Sequence, residues 1–316
     1  VFSSRLNWNF HTNRISALLK SKQNVLDLTM SNPTHAGFEY PGADILGALG
    51  DRRALRYDPE PRGLLSAREA VAKYYGDVPS SRILLTASTS EAYSYLFKLL
   101  CDPGDEILSP RPSYPLFEFL AGLESVRIVQ YPMRYDGAWH IDFAALERAI
   151  TPRTRAIVVV NPNNPTGSFL KRDERSKLEA LGLPILSDEV FSDYALSPDD
   201  SRVRTLTTEA QVLTFSMSGL SKLAGLPQMK LGWIVASGPG HEAALERLEL
   251  IADTYLSVAT PVQIALPSLL EVSAAVRAQI VDRGEENLFQ LRRFTRTSAA
   301  QPLHVEGGWS AILQVP

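Results

Sequence analysis

Ala156-Ile157-Val158-Val159-Val160, followed at once by Asn161-Pro162-Asn163-Asn164-Pro165-Thr166-Gly167, decides how the rest of the chain is read. Five apolar residues in a row, four of them β-branched, leave no polar face. Such a run fits a strand covered on both sides, as in the parallel sheet of an α/β protein. The seven residues after it hold three asparagines and two prolines, a composition far from that of a generic loop. Open α/β sheets bind ligands just outside the carboxyl ends of their strands. The segment therefore puts amide donors where a ligand oxygen would meet them.

Outward from this strand, similar short apolar runs recur at residues 83–87, 106–109, 126–131, 185–187, 211–216 and 230–236. Helical patterns fit between them at 66–75 (Ser66 reading as its N-cap), 91–100 and 143–150, and the alternation argues α/β. Residues 1–40 read as an arm with one helix near 14–20. After residue 240 the pattern turns helical, at 241–256, 261–270 and 274–296. Residues 304–315 open on a Gly307-Gly308 turn and continue as a strand.

With 45% apolar and 21% charged residues, the 316-residue chain can bury a sizeable core. A net charge of −3 argues against a nucleic-acid-binding face. Cys101 is the only cysteine and the five histidines are scattered, so neither a disulfide nor a Cys/His metal site is expected. No basic head precedes an apolar stretch at the start, and no run is expected to be long enough to span a membrane. A cytoplasmic location is the expectation.

Four further segments carry chemistry. Thr86-Ala87-Ser88-Thr89-Ser90-Glu91 puts hydroxyls at a strand-to-helix junction, where free N–H groups and the helix dipole favour an anion. The same residues equally read as a plain N-cap. Pro110-Arg111-Pro112-Ser113-Tyr114-Pro115 reads equally as a surface turn with a packing tyrosine or as a rigid loop fixing an aromatic ring that can stack on a flat ligand. Asp188-Glu189 follows a buried strand, where two acids are costly without a cationic partner, though alone they read equally as an acidic helix N-terminus. Ser216-Met217-Ser218-Gly219-Leu220-Ser221-Lys222 sets one of only eight lysines among small and apolar residues. A desolvated lysine gives up its proton more readily and becomes a usable nucleophile.

Taken in order, Tyr57 with Gly63, Ser88-Thr89-Ser90, Tyr114, Asn164-Pro165-Thr166-Gly167, Asp188, and Ser221-Lys222 with Lys230-Leu231-Gly232-Trp233 resemble the class I/II aminotransferases, pyridoxal-phosphate (PLP) enzymes of fold type I. The resemblance runs from about Asn24 to Pro316. It implies a three-layer α/β/α large domain (41–273) with a mostly parallel seven-stranded sheet. It also implies an N-terminal arm shared with a small domain (1–40), and a connecting helix with the start of an incomplete small α/β domain (274–316).

The resemblance also implies roles. Lys222 is similar to the lysine that carries the cofactor as a Schiff base and then moves a proton. Asp188 would pair with the pyridine nitrogen, Asn164 would donate to the ring's phenolic oxygen, and Tyr114 would stack on the ring. Ser88, Thr89 and Ser90 would hold the phosphate, and Ser218 would be a further cofactor contact. Tyr57 would reach a phosphate in a partner subunit, which implies a homodimer. Leu28-Thr29-Met30-Ser31-Asn32-Pro33 resembles the segment lining the substrate side, with Ser31, like Asn164, a substrate contact.

Three departures stand out. Phe191 replaces a tyrosine near the cofactor oxygen. Lys230 replaces a phosphate-clamping arginine and keeps the charge without the bidentate fork. No residue matches the arginine that binds the substrate carboxylate, with Arg5, Arg14 and Arg111 as the substitutes considered. The implied reaction moves an amino group from an amino acid to a 2-oxo acid. Two alternatives stay open: a carbon–sulfur β-lyase or decarboxylase reaction on the same scaffold, and an inactive chain that still binds PLP.

Overall fold

A computed structural model describes residues 2–6, 8, 12, 14–22, 25 and 30–316. Asn24, Leu28 and Thr29 of the segments named above lie outside the described residues. In chain order the elements are α1 (Arg14–Ser21), α2 (Gly42–Leu49), α3 (Leu65–Tyr74), β1 (Ile83–Thr86), α4 (Thr89–Leu100), β2 (Glu106–Arg111) and α5 (Phe117–Leu123). Next come β3 (Arg127–Tyr135), β4 (Trp139–Ile141), α6 (Phe143–Ala149), β5 (Thr154–Val160), α7 (Arg172–Ala180) and β6 (Ile185–Asp188). The chain then forms β7 (Thr214–Gly219), α8 (Leu220–Leu223), β8 (Gly232–Ser237), α9 (His241–Tyr255), α10 (Thr260–Thr295), β9 (Gln301–Pro302) and β10 (Leu313–Gln314).

The large sheet runs β1-β8-β7-β6-β5-β2-β3-β4. Strands β7, β6, β5, β2 and β3 are mutually parallel, β8 is antiparallel to both of its neighbours, and β4 is antiparallel to β3. The α/β reading and the mostly parallel sheet hold, but the strands number eight rather than seven. The addition is β4, which turns back from Tyr135 through Asp136-Gly137-Ala138 and pairs Trp139 with Tyr135. Gly137 sits at φ 106°, a conformation that suits glycine there. Three residues are too short a run to show a strand's period.

Alternation along the buried strands covers both faces. Leu84, Val158, Val160 and Leu186 pack with α4, α5 and α9. Ile83, Leu85, Trp233 and Val235 pack with α3 and α10, and Ile157, Val159 and Ile185 with α6 and α7. The result is the three-layer arrangement.

Three expectations change. The helices at 261–270 and 274–296 are one helix, α10, because Ser273 is buried and returns its hydroxyl to the Leu270 carbonyl at 2.7 Å instead of breaking the run. An 18-residue window of α10, mean hydropathy 1.4, is long and apolar enough to cross a membrane, contrary to the sequence reading. Its Val262, Ala265, Leu266 and Leu269 are instead buried in the core. The strand expected over 304–315 is reduced to Leu313–Gln314, paired with Gln301–Pro302. In addition, α3 starts before Ser66. Its cap position is Leu64, whose N–H goes to the Gln263 side chain at 2.7 Å.

Register places the site. Val160 pairs with Asp188, Asp188 with Met217, Gly219 with Gly232, and Gly232 with Thr86. The carboxyl ends of β1, β5, β6 and β7 therefore meet at one edge of the sheet.

Candidate active site

At that edge lies a cavity of about 200 Å³. Of the residues given a role from the sequence, seven line it: Ser31, Thr89, Tyr114, Asn164, Asp188, Phe191 and Lys222, beside Ser221 and Leu231 of the quoted motifs. The rest do not. Ser88 is the N-cap of α4, its Oγ accepting the Glu91 N–H at 3.2 Å, so the capping reading holds for that hydroxyl. Ser90 lies in the first turn of α4, where it and Thr89 offer N–H groups without intrahelical acceptors. Ser218 is buried on β7, next to Gly219 of the cavity wall, and its hydroxyl has no partner among the described residues. Lys230 is exposed, with a left-handed backbone at φ 49°. Tyr57 is 72% exposed and lines a different groove, with Tyr95 and Ser257. Arg5, Arg14 and Arg111 are absent from the cavity wall.

The asparagine loop divides its labour. Asn161 donates to the Val203 carbonyl at 2.7 Å and accepts the Leu170 N–H at 3.0 Å. Asn163 donates to the Pro112 carbonyl and to Thr166 Oγ1, both at 2.9 Å, and accepts from the Ser113 hydroxyl. These bonds tie the loop to the Tyr114 segment. Asn164 makes no side-chain hydrogen bond within the described protein and faces the cavity.

Asp188 ends β6 and is 7% exposed. Its Oδ1 accepts the Val190 N–H at 3.2 Å and its Oδ2 accepts the Tyr93 hydroxyl at 3.0 Å. Burial pushes its carboxyl up to about 6, against the pull of those two donors and of Lys222. Lys222 follows β7 on the short helix α8, where burial lowers the proton affinity of its amine and Asp188 partly restores it. Among the described residues Lys222 makes no ion pair. Its Nζ sits 5.9 Å from the ring centre of Phe191 and 5.2 Å from that of Trp309. The Tyr194 hydroxyl donates to the Lys222 carbonyl and fixes the backbone beneath the amine.

Glycines allow this convergence. A Cβ on Gly219 would come within 2.8 Å of the Leu231 carbonyl oxygen and 2.9 Å of Gly232 Cα. Gly232 in turn sits tight against Ser88 and Thr86.

Two residues were missed from sequence. Tyr93 is one helical turn beyond Thr89, a spacing that places both on one side of α4, but a buried aromatic on a helix reads as ordinary core. Trp309 closes the cavity with its edge against Phe191 (5.3 Å) and Tyr194 (5.2 Å). Its indole N–H is shielded from solvent and has no acceptor among the described residues. The only signal for it was its place directly after the Gly307-Gly308 turn.

Residues 23–311 match the family described as aminotransferase class I and II. The chain belongs to that family. It is 31% identical over 257 residues to the glutamate-pyruvate aminotransferase of Escherichia coli, a match covering 78% of this chain and 63% of that protein. It is 32% identical over 257 residues to the alanine aminotransferase of Mycobacterium tuberculosis, covering 77% and 59%. The chain thus spans about three fifths of the length of these relatives. The fold matches the alanine aminotransferase from Pyrococcus furiosus, with a TM-score of 0.80 at 24% identity, covering 92% of this chain and 77% of that one. It also matches the Thermus thermophilus aspartate aminotransferase, with a TM-score of 0.81 at 21% identity, covering 98% and 83%.

Members of the family use pyridoxal phosphate. The residues present fit that group. An amide at Asn164 and a buried hydroxyl at Ser218, both without partners among the described residues, converge with a buried carboxylate and a partly buried amine on one edge of the sheet.

Proposed function

We propose that this chain is a PLP-dependent aminotransferase that moves an amino group from an amino acid to a 2-oxo acid. The observation that carries this is the meeting, on one cavity, of a partly buried amine at Lys222 with a buried carboxylate at Asp188. Bound there, pyridoxal phosphate supplies an electron sink that makes the proton on a substrate's α-carbon removable.

The protein's part follows from its own groups. Lys222 would hold the cofactor through its amine and, once freed, would move the proton from the substrate's α-carbon to the cofactor's C4′, work that suits an amine with lowered proton affinity. Asp188 meets the ring nitrogen and keeps a proton on it. Asn164, with no other partner, donates to the ring oxygen and serves the substrate. Tyr114 stacks on the ring. The N–H groups of Thr89 and Ser90, with Ser88, Ser218 and the charge of Lys230, receive the phosphate. Phe191 brings no hydroxyl and contributes a dry apolar wall. Ser31 lies on the substrate side.

Tyr57, exposed and not part of the wall around Lys222 in its own chain, is assigned to a partner's site in a homodimer. The exposed Leu46, Leu55, Tyr57 and Leu65 support such an interface. The division into an arm (1–40), a cofactor domain (41–273) and a connecting helix with the start of a small domain (274–316) belongs to the same reading, as does a cytoplasmic location. The names of the relatives make glutamate with pyruvate the first substrate pair to test.

The test is direct. With pyridoxal phosphate added, the protein should show the yellow absorption of a lysine-bound cofactor, lost in Lys222→Ala, and should form alanine and 2-oxoglutarate from glutamate and pyruvate. A yellow protein that no amino acid alters would leave cofactor binding standing and sink the transfer activity. Release of pyruvate and a thiol from cysteine conjugates would point to lyase chemistry instead.

A further inference from the structure

We infer that Tyr93 is a positioning residue of this site, donating its hydroxyl to Oδ2 of Asp188 so that the carboxylate stays ionised and aimed at the ring nitrogen of the cofactor. The inference rests on the reading of Asp188 given above.

Tyr93 is 1% exposed, and among the described residues Asp188 is the one hydrogen-bond partner of its hydroxyl. Its ring is held between Phe97 (5.9 Å) and Phe117 (5.2 Å, edge-on), and Phe117 meets Tyr114 edge-on at 5.7 Å. The hydroxyl therefore has little freedom to turn elsewhere. Burial and the neighbouring Asp188 charge keep the phenol protonated, so it is the donor. The Val190 N–H occupies the other carboxylate oxygen. Each oxygen then carries one bond from the protein and keeps a lone pair for the cavity that Asp188 lines.

The carboxylate needs this donor. A buried carboxyl held by one backbone N–H alone would more readily keep its own proton. It would then fail to hold one on the ring nitrogen. Tyr93 and Thr89 lie one turn apart on α4, with Thr89 at the cavity wall. One rigid element thus sets the phosphate end and the nitrogen end of the cofactor together.

Tyr93→Phe removes the hydroxyl and keeps the ring. A hydrogen bond to a charged group is worth enough to change an equilibrium roughly tenfold or more. The expected result is a cofactor dissociation constant about tenfold higher, and a kcat for transfer reduced by a similar factor with KM little changed. In the cofactor-free protein, the infrared carbonyl band of protonated Asp188, identified by its loss in Asp188→Asn, should persist to higher pH than in the parent.

The double variant Tyr93→Phe/Asp188→Asn should bind cofactor no worse than Asp188→Asn alone. Phe117→Leu, which loosens the same packing but leaves the hydroxyl, should lower the melting temperature without moving the infrared band. If Tyr93→Phe fails to fold, 3,5-difluorotyrosine at position 93 keeps the shape and strengthens the donor, and should move the band to lower pH.

An unchanged dissociation constant and band in Tyr93→Phe, or effects that simply add to those of Asp188→Asn, would overturn the inference. If Asp188→Asn itself leaves cofactor binding intact, the reading of Asp188 fails first, and the two failures are thereby told apart.

Discussion

Trp309 holds its indole 5.2 Å from the Nζ of Lys222, although the two belong to distant parts of the chain. The clamp that brings them together is Glu306. Its side chain accepts the Phe169 N–H at 2.7 Å and pairs with Lys171 and, at 3.8 Å, with Arg202. The N–H groups of Glu306 and Gly307 reach the Gly167 carbonyl, and the Gly308 N–H reaches that of Tyr194. The segment before Trp309 is thus stitched both to the asparagine loop and to the turn after Asp188.

Glu306→Gln should release this clamp. The carboxylate is buried, and its loss leaves Lys171 and Arg202 without one of their partners. A cost of roughly 1–3 kcal/mol is expected for charge-assisted bonds of this kind. Urea unfolding reads the loss, and limited proteolysis should cut residues 300–316 sooner than in the parent. Equal cleavage rates would show that the clamp does not hold the segment.

The asparagine loop offers a paired test. Asn161→Ala deletes two buried hydrogen bonds and leaves the Val203 carbonyl and Leu170 N–H unmet, which should cost roughly 2–4 kcal/mol. Asn164→Ala deletes none within the described protein and should leave stability within about 0.5 kcal/mol. Its effect belongs on cofactor and substrate binding. A melting temperature that falls as far for Asn164→Ala as for Asn161→Ala would show that Asn164 is structural.

Asp188 gives the cofactor-free protein a pH-dependent weakness. Its carboxyl titrates at about 6 when folded, against 3.8 for an ordinary aspartate. The folded state therefore binds the proton more tightly than the unfolded one. The contribution is whole below about pH 4 and is lost as the pH rises through 6, to a limit of roughly 3 kcal/mol. Asp188→Asn lacks this dependence. Its stability relative to the parent should rise between about pH 4 and pH 7 in urea unfolding of the cofactor-free protein. A difference that stays flat over that range would mean Asp188 titrates normally. With the cofactor present the order should invert, since the ionised carboxylate then has a partner.

How far the sequence could be read depended on how local the signal was. The strand 156–160, the asparagine loop, Asp188 and Lys222 were legible because each role follows from a run of neighbours and from order along the chain. The close of the site was not. Trp309 reaches Lys222 only through the packing of the C-terminal segment on Gly167 and Tyr194, and no periodicity encodes that contact. Tyr93 was hidden for another reason, since its polar end emerges under Asp188 from a helix face that is otherwise core. Strand β4 failed on length, and α10 was split because a buried serine near its middle imitates a break.

Lys222 should react unlike the other seven lysines. Burial lowers the proton affinity of its amine, so its fraction of free amine rises at lower pH than for a solvated lysine. Reductive methylation with formaldehyde, followed peptide by peptide, should show Lys222 reaching half its maximal rate at the lowest pH of the set in the cofactor-free protein. The Asp188 charge opposes the shift, so in Asp188→Asn the half-point should move lower still, and saturating pyridoxal phosphate should protect Lys222 in the parent. If Lys222 instead tracks an exposed lysine such as Lys230, the amine is solvated and the argument for it as nucleophile and base loses its physical ground. If the half-point does not move in Asp188→Asn, the two groups do not sense each other across the cavity.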